Sequence, residues 1–130
     1  MLELSKAKLK FVNKFTFSEC KIEHRFYNFR PLKFRYLVDL DLSNCLLKES
    51  SLKSLINCEM SWLKYFNISN NPIGNKGFKN ICQAPWARLQ RLTMYRVRIT
   101  SHGLKYFSKS QAFNEFSFYS SLKFMPLKTY

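Results

Sequence analysis

Asp39 and Asp41 stand two residues apart in VDLDLSN and face the same way on an extended chain. Two carboxylates so placed could serve general acid–base chemistry or a divalent cation. The remaining apparatus for either is missing: spacing puts no nucleophile or further acid beside them, and there is no Gly-rich phosphate loop. The two histidines, His24 in EHR and His102 in SHG, fall where helix-like segments begin. Cys20, Cys45, Cys58 and Cys82 form no CxxC pair, and neither histidine lies at zinc-ligand spacing from them. We therefore expect no metal, no cofactor and no enzymatic activity. A reactive thiol needs a cationic or basic neighbour that the spacing does not supply, so packing is the expected role of the cysteines, Cys58 being the least determined and the most accessible.

The 22 Lys and Arg against 8 Asp and Glu leave a formal net charge of +14. Such a charge draws a protein toward polyanions at low salt without naming one. Lys6, Lys8, Lys10, Lys14, Arg25, Arg30, Lys33 and Arg35 crowd the first quarter of the chain. Lys53, Lys76, Lys79, Lys105 and Lys109 fall on helix-like segments, and Arg96 and Arg98 just after a strand-like one. This distribution admits two readings, solvated helix faces or a patch for nucleic acid or an acidic partner.

With 130 residues, 46% of them apolar and 13 of them Phe, the chain reads as one folded domain, 1–130. Only 3 Gly and 4 Pro are present, which argues against general disorder. The start, with Glu3, Lys6, Lys8 and Lys10, lacks the apolar run of a secretory signal. No stretch approaches the roughly 18 apolar residues of a membrane span. An intracellular, cytoplasmic protein with free thiols is expected.

The elements that position these residues follow from a period. Leu37, Leu40, Leu42, Cys45 and Leu47 recur as Leu63, Phe66, Ile68, Asn71 and Ile73, and again as Leu89, Leu92, Met94, Val97 and Ile99. Weaker copies flank them at Val12, Phe15, Phe17, Cys20, Ile22 and at Phe113, Phe116, Phe118, Ser121. Each of the three central copies continues into a pair three residues apart, Leu52 and Leu55, Phe78 and Ile81, Leu104 and Phe107, which shares one helix face. Ser51, Gly77 and Gly103 precede these pairs and are expected to let the chain turn tightly into the helix.

LxxLxLxxCxL and LxxFxIxxNxI, each followed by a Ser or Gly and an amphipathic segment, resemble leucine-rich repeats of about 26 residues, similar to the ribonuclease-inhibitor-like and cysteine-containing subtype. The resemblance implies an α/β leucine-rich-repeat solenoid: a right-handed β-α superhelix bent into a horseshoe arc, with parallel strands on the concave face and helices on the convex face. Five repeats are expected at about 12–36, 37–62, 63–88, 89–112 and 113–123, with a C-terminal capping tail at 120–130.

Cys20, Cys45, Asn71, Val97 and Ser121 would form the ladder of corner residues where the strands stop. There Asn71 can satisfy backbone of its own turn and of the adjacent one. Between the buried positions, Asp39, Asp41, Tyr65, Asn67, Arg91, Thr93, Tyr95, Glu115 and Tyr119 would point out from the concave face. In the resembled family that face is the usual partner-binding surface, and Tyr and Arg are enriched among binding hot spots. The function expected is a protein-interaction scaffold. The alternatives are a basic structural subunit of a ribonucleoprotein or other large assembly, and a fragment of a longer repeat protein. The degenerate first and last repeats look poorly capped, which is compatible with an oligomer or a longer parent chain.

Overall fold

The computed structural model describes residues 12–21 and 34–110. Four three-residue strands, β1 (Lys14–Thr16), β2 (Asp39–Asp41), β3 (Tyr65–Asn67) and β4 (Arg91–Thr93), form one parallel sheet in chain order. Helices α1 (Glu49–Leu55), α2 (Gly74–Cys82) and α3 (Ser101–Leu104) follow β2, β3 and β4, and a 3-10 turn at Phe107–Lys109 comes after α3. The register aligns equivalent residues of successive coils: Phe15, Leu40, Phe66 and Leu92 lie side by side, flanked by the rows Lys14, Asp39, Tyr65, Arg91 and Thr16, Asp41, Asn67, Thr93.

Side chains alternate across such a sheet, so each strand turns its middle residue inward. Leu40, Phe66 and Leu92 are buried, and Phe15 is partly buried against the same core. Leu52 and Leu55 of α1 and Phe78 and Ile81 of α2 close the core from the helix side, as their spacing predicts. An additional column joins them. Phe34, Met60 and Trp86, each three residues ahead of a repeat's first leucine, are all buried, and Trp86 meets Phe66 edge to face with ring centroids 5.2 Å apart. Trp86 Nε1 finds no acceptor there.

Backbone pairing runs past the strand triplets at both ends. Before the strands, one carbonyl accepts two amides in every coil: Asn13 from Val38 and Asp39, Val38 from Lys64 and Tyr65, Lys64 from Gln90 and Arg91. After them, Glu19, Asn44 and Asn70 donate to the carbonyls of Ser43, Ser69 and Tyr95 in the next coil. These donors and Arg96 have φ of 63°, 57°, 57° and 53°, so all four coils bend with a left-handed residue at one place. The backbone ladder therefore continues up to the residue that precedes each corner position, Glu19, Asn44 and Asn70.

Ser51, Gly77 and Gly103 do not form the turns into the helices. They lie inside α1, α2 and α3 and are buried. Small size is needed there because neighbouring coils touch. A Cβ on Gly77 would sit 2.8 Å from Ile73 Cβ and 3.1 Å from Leu52 Cδ1 of the preceding coil, and one on Gly103 would collide with the side-chain amide of Asn75. The turning is done at Gly74, whose φ of +65° opens α2. The fifth repeat, 113–123, the tail, 120–130, and Glu115, Tyr119, Ser121 and His24 lie outside the described residues. Among those described, no helix is long and apolar enough to cross a membrane.

Candidate functional site

The corner comes first, because it fixes how the coils stack. Asn71 is fully buried and its amide makes five hydrogen bonds. Oδ1 accepts from the backbone N–H groups of Cys45 and Leu47, both at 2.9 Å. Nδ2 donates to the carbonyls of Leu42 at 2.8 Å, Ile68 at 2.9 Å and Ser69 at 3.2 Å. Cys45 takes the same place one coil earlier and reaches back likewise, its Sγ donating to the Phe17 carbonyl at 2.7 Å. Val97 is buried at the next position, whereas Cys20 is exposed.

The thiols therefore sort differently from expectation. Cys58 is buried, its Sγ 3.8 Å from the Ser54 carbonyl, and Cys20 is the exposed cysteine. Burial pushes the Cys58 thiol up to about 11 and that of Cys82 up to about 12. Cys45 is raised by burial as well, with a backbone hydrogen bond from Cys20 opposing the rise.

From this frame the sheet presents its outer rows. Asp39, Asp41, Tyr65, Asn67 and Thr93 are partly exposed, Arg91 is exposed, and Tyr95 is 42% exposed. Several of these side chains hold one another. Asp41 accepts from the backbone of Ser43 through Oδ1 at 2.8 Å and from Asn67 Nδ2 through Oδ2 at 3.1 Å. Asn67 in turn accepts from the Ser69 backbone at 3.1 Å, so the two residues close the ends of their own strands in the same manner. Asp39 pairs with Lys14 at 3.4 Å on the surface. With both oxygens of Asp41 engaged, the two carboxylates belong to a hydrogen-bonded sheet surface. Among the described residues no group of His, Cys, Asp and Glu could hold a metal ion.

One surface feature is absent from the sequence reading. Tyr36, Trp62 and Arg88 occupy the same turn ahead of β2, β3 and β4, and all are exposed, Tyr36 at 50% and Trp62 at 44%. The Arg88 guanidinium lies over the Trp62 ring at 4.0 Å, and Arg91 lies over Tyr65 at 5.4 Å. Extending the 26-residue displacement to the turn ahead of each strand would have found this column. It escapes a search for apolar periodicity because its third member is an arginine.

Residues 62–84, from Trp62 through α2, match the family model described as Leucine Rich Repeat. That stretch carries leucine-rich repeat sequence. The chain is similar to two human proteins, 34% identical over 86 residues to "NACHT, LRR and PYD domains-containing protein 7" and 36% identical over 73 residues to "NACHT, LRR and PYD domains-containing protein 2". The first match takes in 62% of this chain and 9% of the relative, the second 52% and 7%, so the chain spans less than a tenth of the curated relatives it matches. Both relatives carry a repeat domain of this kind by name. The parallel sheet with helices returning between its strands is consistent with an α/β leucine-rich repeat fold.

Proposed function

We propose that the chain is a non-enzymatic protein-interaction module that holds a partner across the outer face of its sheet. Asp39, Asp41, Tyr65, Asn67, Arg91, Thr93 and Tyr95 would supply the contacts, with Glu115 and Tyr119 extending the face in a fifth coil. The observation that carries this reading is the register. It gathers side chains distant in sequence, Tyr65 and Arg91 among them, into adjacent rows of one partly exposed surface, while the intervening residues fill the core. In this reading the coils continue as a right-handed solenoid of one domain, with the sheet on its concave side.

A second reading has its own support. Lys53, Lys76, Lys79 and Lys105 are exposed on the helix side, and the chain as a whole carries a charge of +14, which suits a structural subunit of a ribonucleoprotein. Affinity capture with and without nuclease separates the two. Under the first reading a partner protein survives nuclease and is lost on Tyr65→Ala with Tyr95→Ala. Capture abolished by nuclease and indifferent to the tyrosines favours the second.

A further inference from the structure

Resting on the sheet-face reading, we propose that the segment bound there is an acidic peptide whose Asp and Glu carboxylates dock on Arg88 and Arg91, with Trp62 beside them and Tyr95 farther along the face as its apolar contacts. From Met60 to Asn114 the sequence contains no Asp or Glu. Coils three and four therefore lack any carboxylate of their own to neutralise these arginines, and among the described residues neither has an ion-pair partner. Arg35, in contrast, is paired with Glu59 at 2.9 Å one coil earlier.

The two guanidinium groups are also positioned in advance. Each lies over a ring of the preceding coil, Arg88 over Trp62 at 4.0 Å and Arg91 over Tyr65 at 5.4 Å. A cation resting on a ring face loses little on binding a ligand, and the in-plane N–H fork remains available to grip a carboxylate through two hydrogen bonds. Trp62, 44% exposed, adds large apolar surface next to that charge, and Tyr95, 42% exposed, adds more past the far end of β4, where Arg96 lies over its ring at 5.3 Å.

Two strands away on the same face, β2 carries Asp39 and Asp41, with Asp39 paired to Lys14 of β1. Three strands at about 4.8 Å spacing separate β2 from β4 by roughly 10 Å, so the face runs from acidic to basic over a few residues of an extended peptide. That gradient sets the orientation of the bound segment, its carboxylates over β4. It also disfavours a nucleic acid strand laid across the sheet, whose phosphates would meet Asp39 and Asp41, and whose bases would compete with guanidinium groups already on the Trp62 and Tyr65 rings.

Selection of a random displayed peptide library on the intact chain tests this, followed by affinity measurements of the recovered peptides. We expect Asp- and Glu-rich peptides, weakened about tenfold or more by Arg88→Gln with Arg91→Gln and less than about twofold by Lys76→Gln with Lys105→Gln, which removes equal charge from the helix side. Thermal unfolding of each variant verifies its fold. Equal weakening by both pairs would show a bulk charge effect and overturn the proposal. Neutral or basic peptides lost on Tyr65→Ala with Tyr95→Ala would overturn the acidic preference while leaving the sheet-face reading intact. Failure to recover any peptide sensitive to Tyr65→Ala with Tyr95→Ala would overturn both. An oligo-dT strand that binds more tightly than the acidic peptides and is lost on the same arginine pair would overturn the proposal in favour of nucleic acid.

Discussion

Five hydrogen bonds converge on Asn71, and they join Leu42, Cys45 and Leu47 of one coil to Ile68 and Ser69 of the next. Removing the amide leaves two buried N–H groups without an acceptor, each costing about 1–3 kcal/mol. Asn71→Ala is expected to lower the unfolding free energy by about 4 kcal/mol in a urea titration. Asn71→Cys, the residue type of the preceding corner, should recover part of that loss by donating to a carbonyl as Cys45 does. Arg96 bears a different cost, a φ of 53° at the place where two earlier coils use Asn44 and Asn70. Arg96→Asn should raise stability by about 1 kcal/mol, because Asn tolerates the left-handed region better.

The cysteines set a pH window. Cys58 and Cys82 stay protonated in the fold to about 11 and 12 but would ionise near the ordinary 9.0 when unfolded. Above that point the folded chain binds more protons than the unfolded one, so stability falls as pH rises from about 9 toward 11. Urea midpoints across this range should fall less steeply for Cys58→Ala with Cys82→Ala than for the parent chain. The exposed Cys20 should react first with a thiol reagent at pH 8.

At the level of elements, the contrast between glycines measures how closely the coils approach. An added methyl at Gly103 must displace the Asn75 amide, which is itself bonded to Thr100 through both its nitrogen and its oxygen at 2.9 Å. Gly103→Ala should therefore cost about 2–3 kcal/mol in chemical denaturation. Gly74→Ala meets no atom within 4 Å and should cost about 1 kcal/mol, from its positive φ alone. The spacing in the sequence revealed which segments are strands and helices, because inward apolar residues repeat with the coil. It misplaced the helix starts, since a glycine needed for close packing and one needed for a turn look alike in a sequence. It also passed over Phe34, Met60 and Trp86, whose differing sizes hide a shared burial. Cys20 and Cys58 exchanged their expected exposures, as spacing alone does not say which corner lies against a covering coil.

For the molecule as a whole, the described sheet is uneven in charge, acidic at β2 and basic at β4, although the net charge of +14 suggests uniform positivity. This asymmetry arises because the register sets the strands side by side, which composition does not encode. It bears directly on the central claim that the outer face of the sheet receives a protein segment. The most direct measurement is a backbone amide chemical-shift titration of the intact chain with a peptide recovered by selection. Saturable shifts are expected at Tyr65, Asn67, Arg91, Thr93 and Tyr95, with α1 and α2 unmoved. Shifts concentrated on the helix side around Lys53, Lys76 and Lys79, with the strand residues unmoved, would contradict that claim.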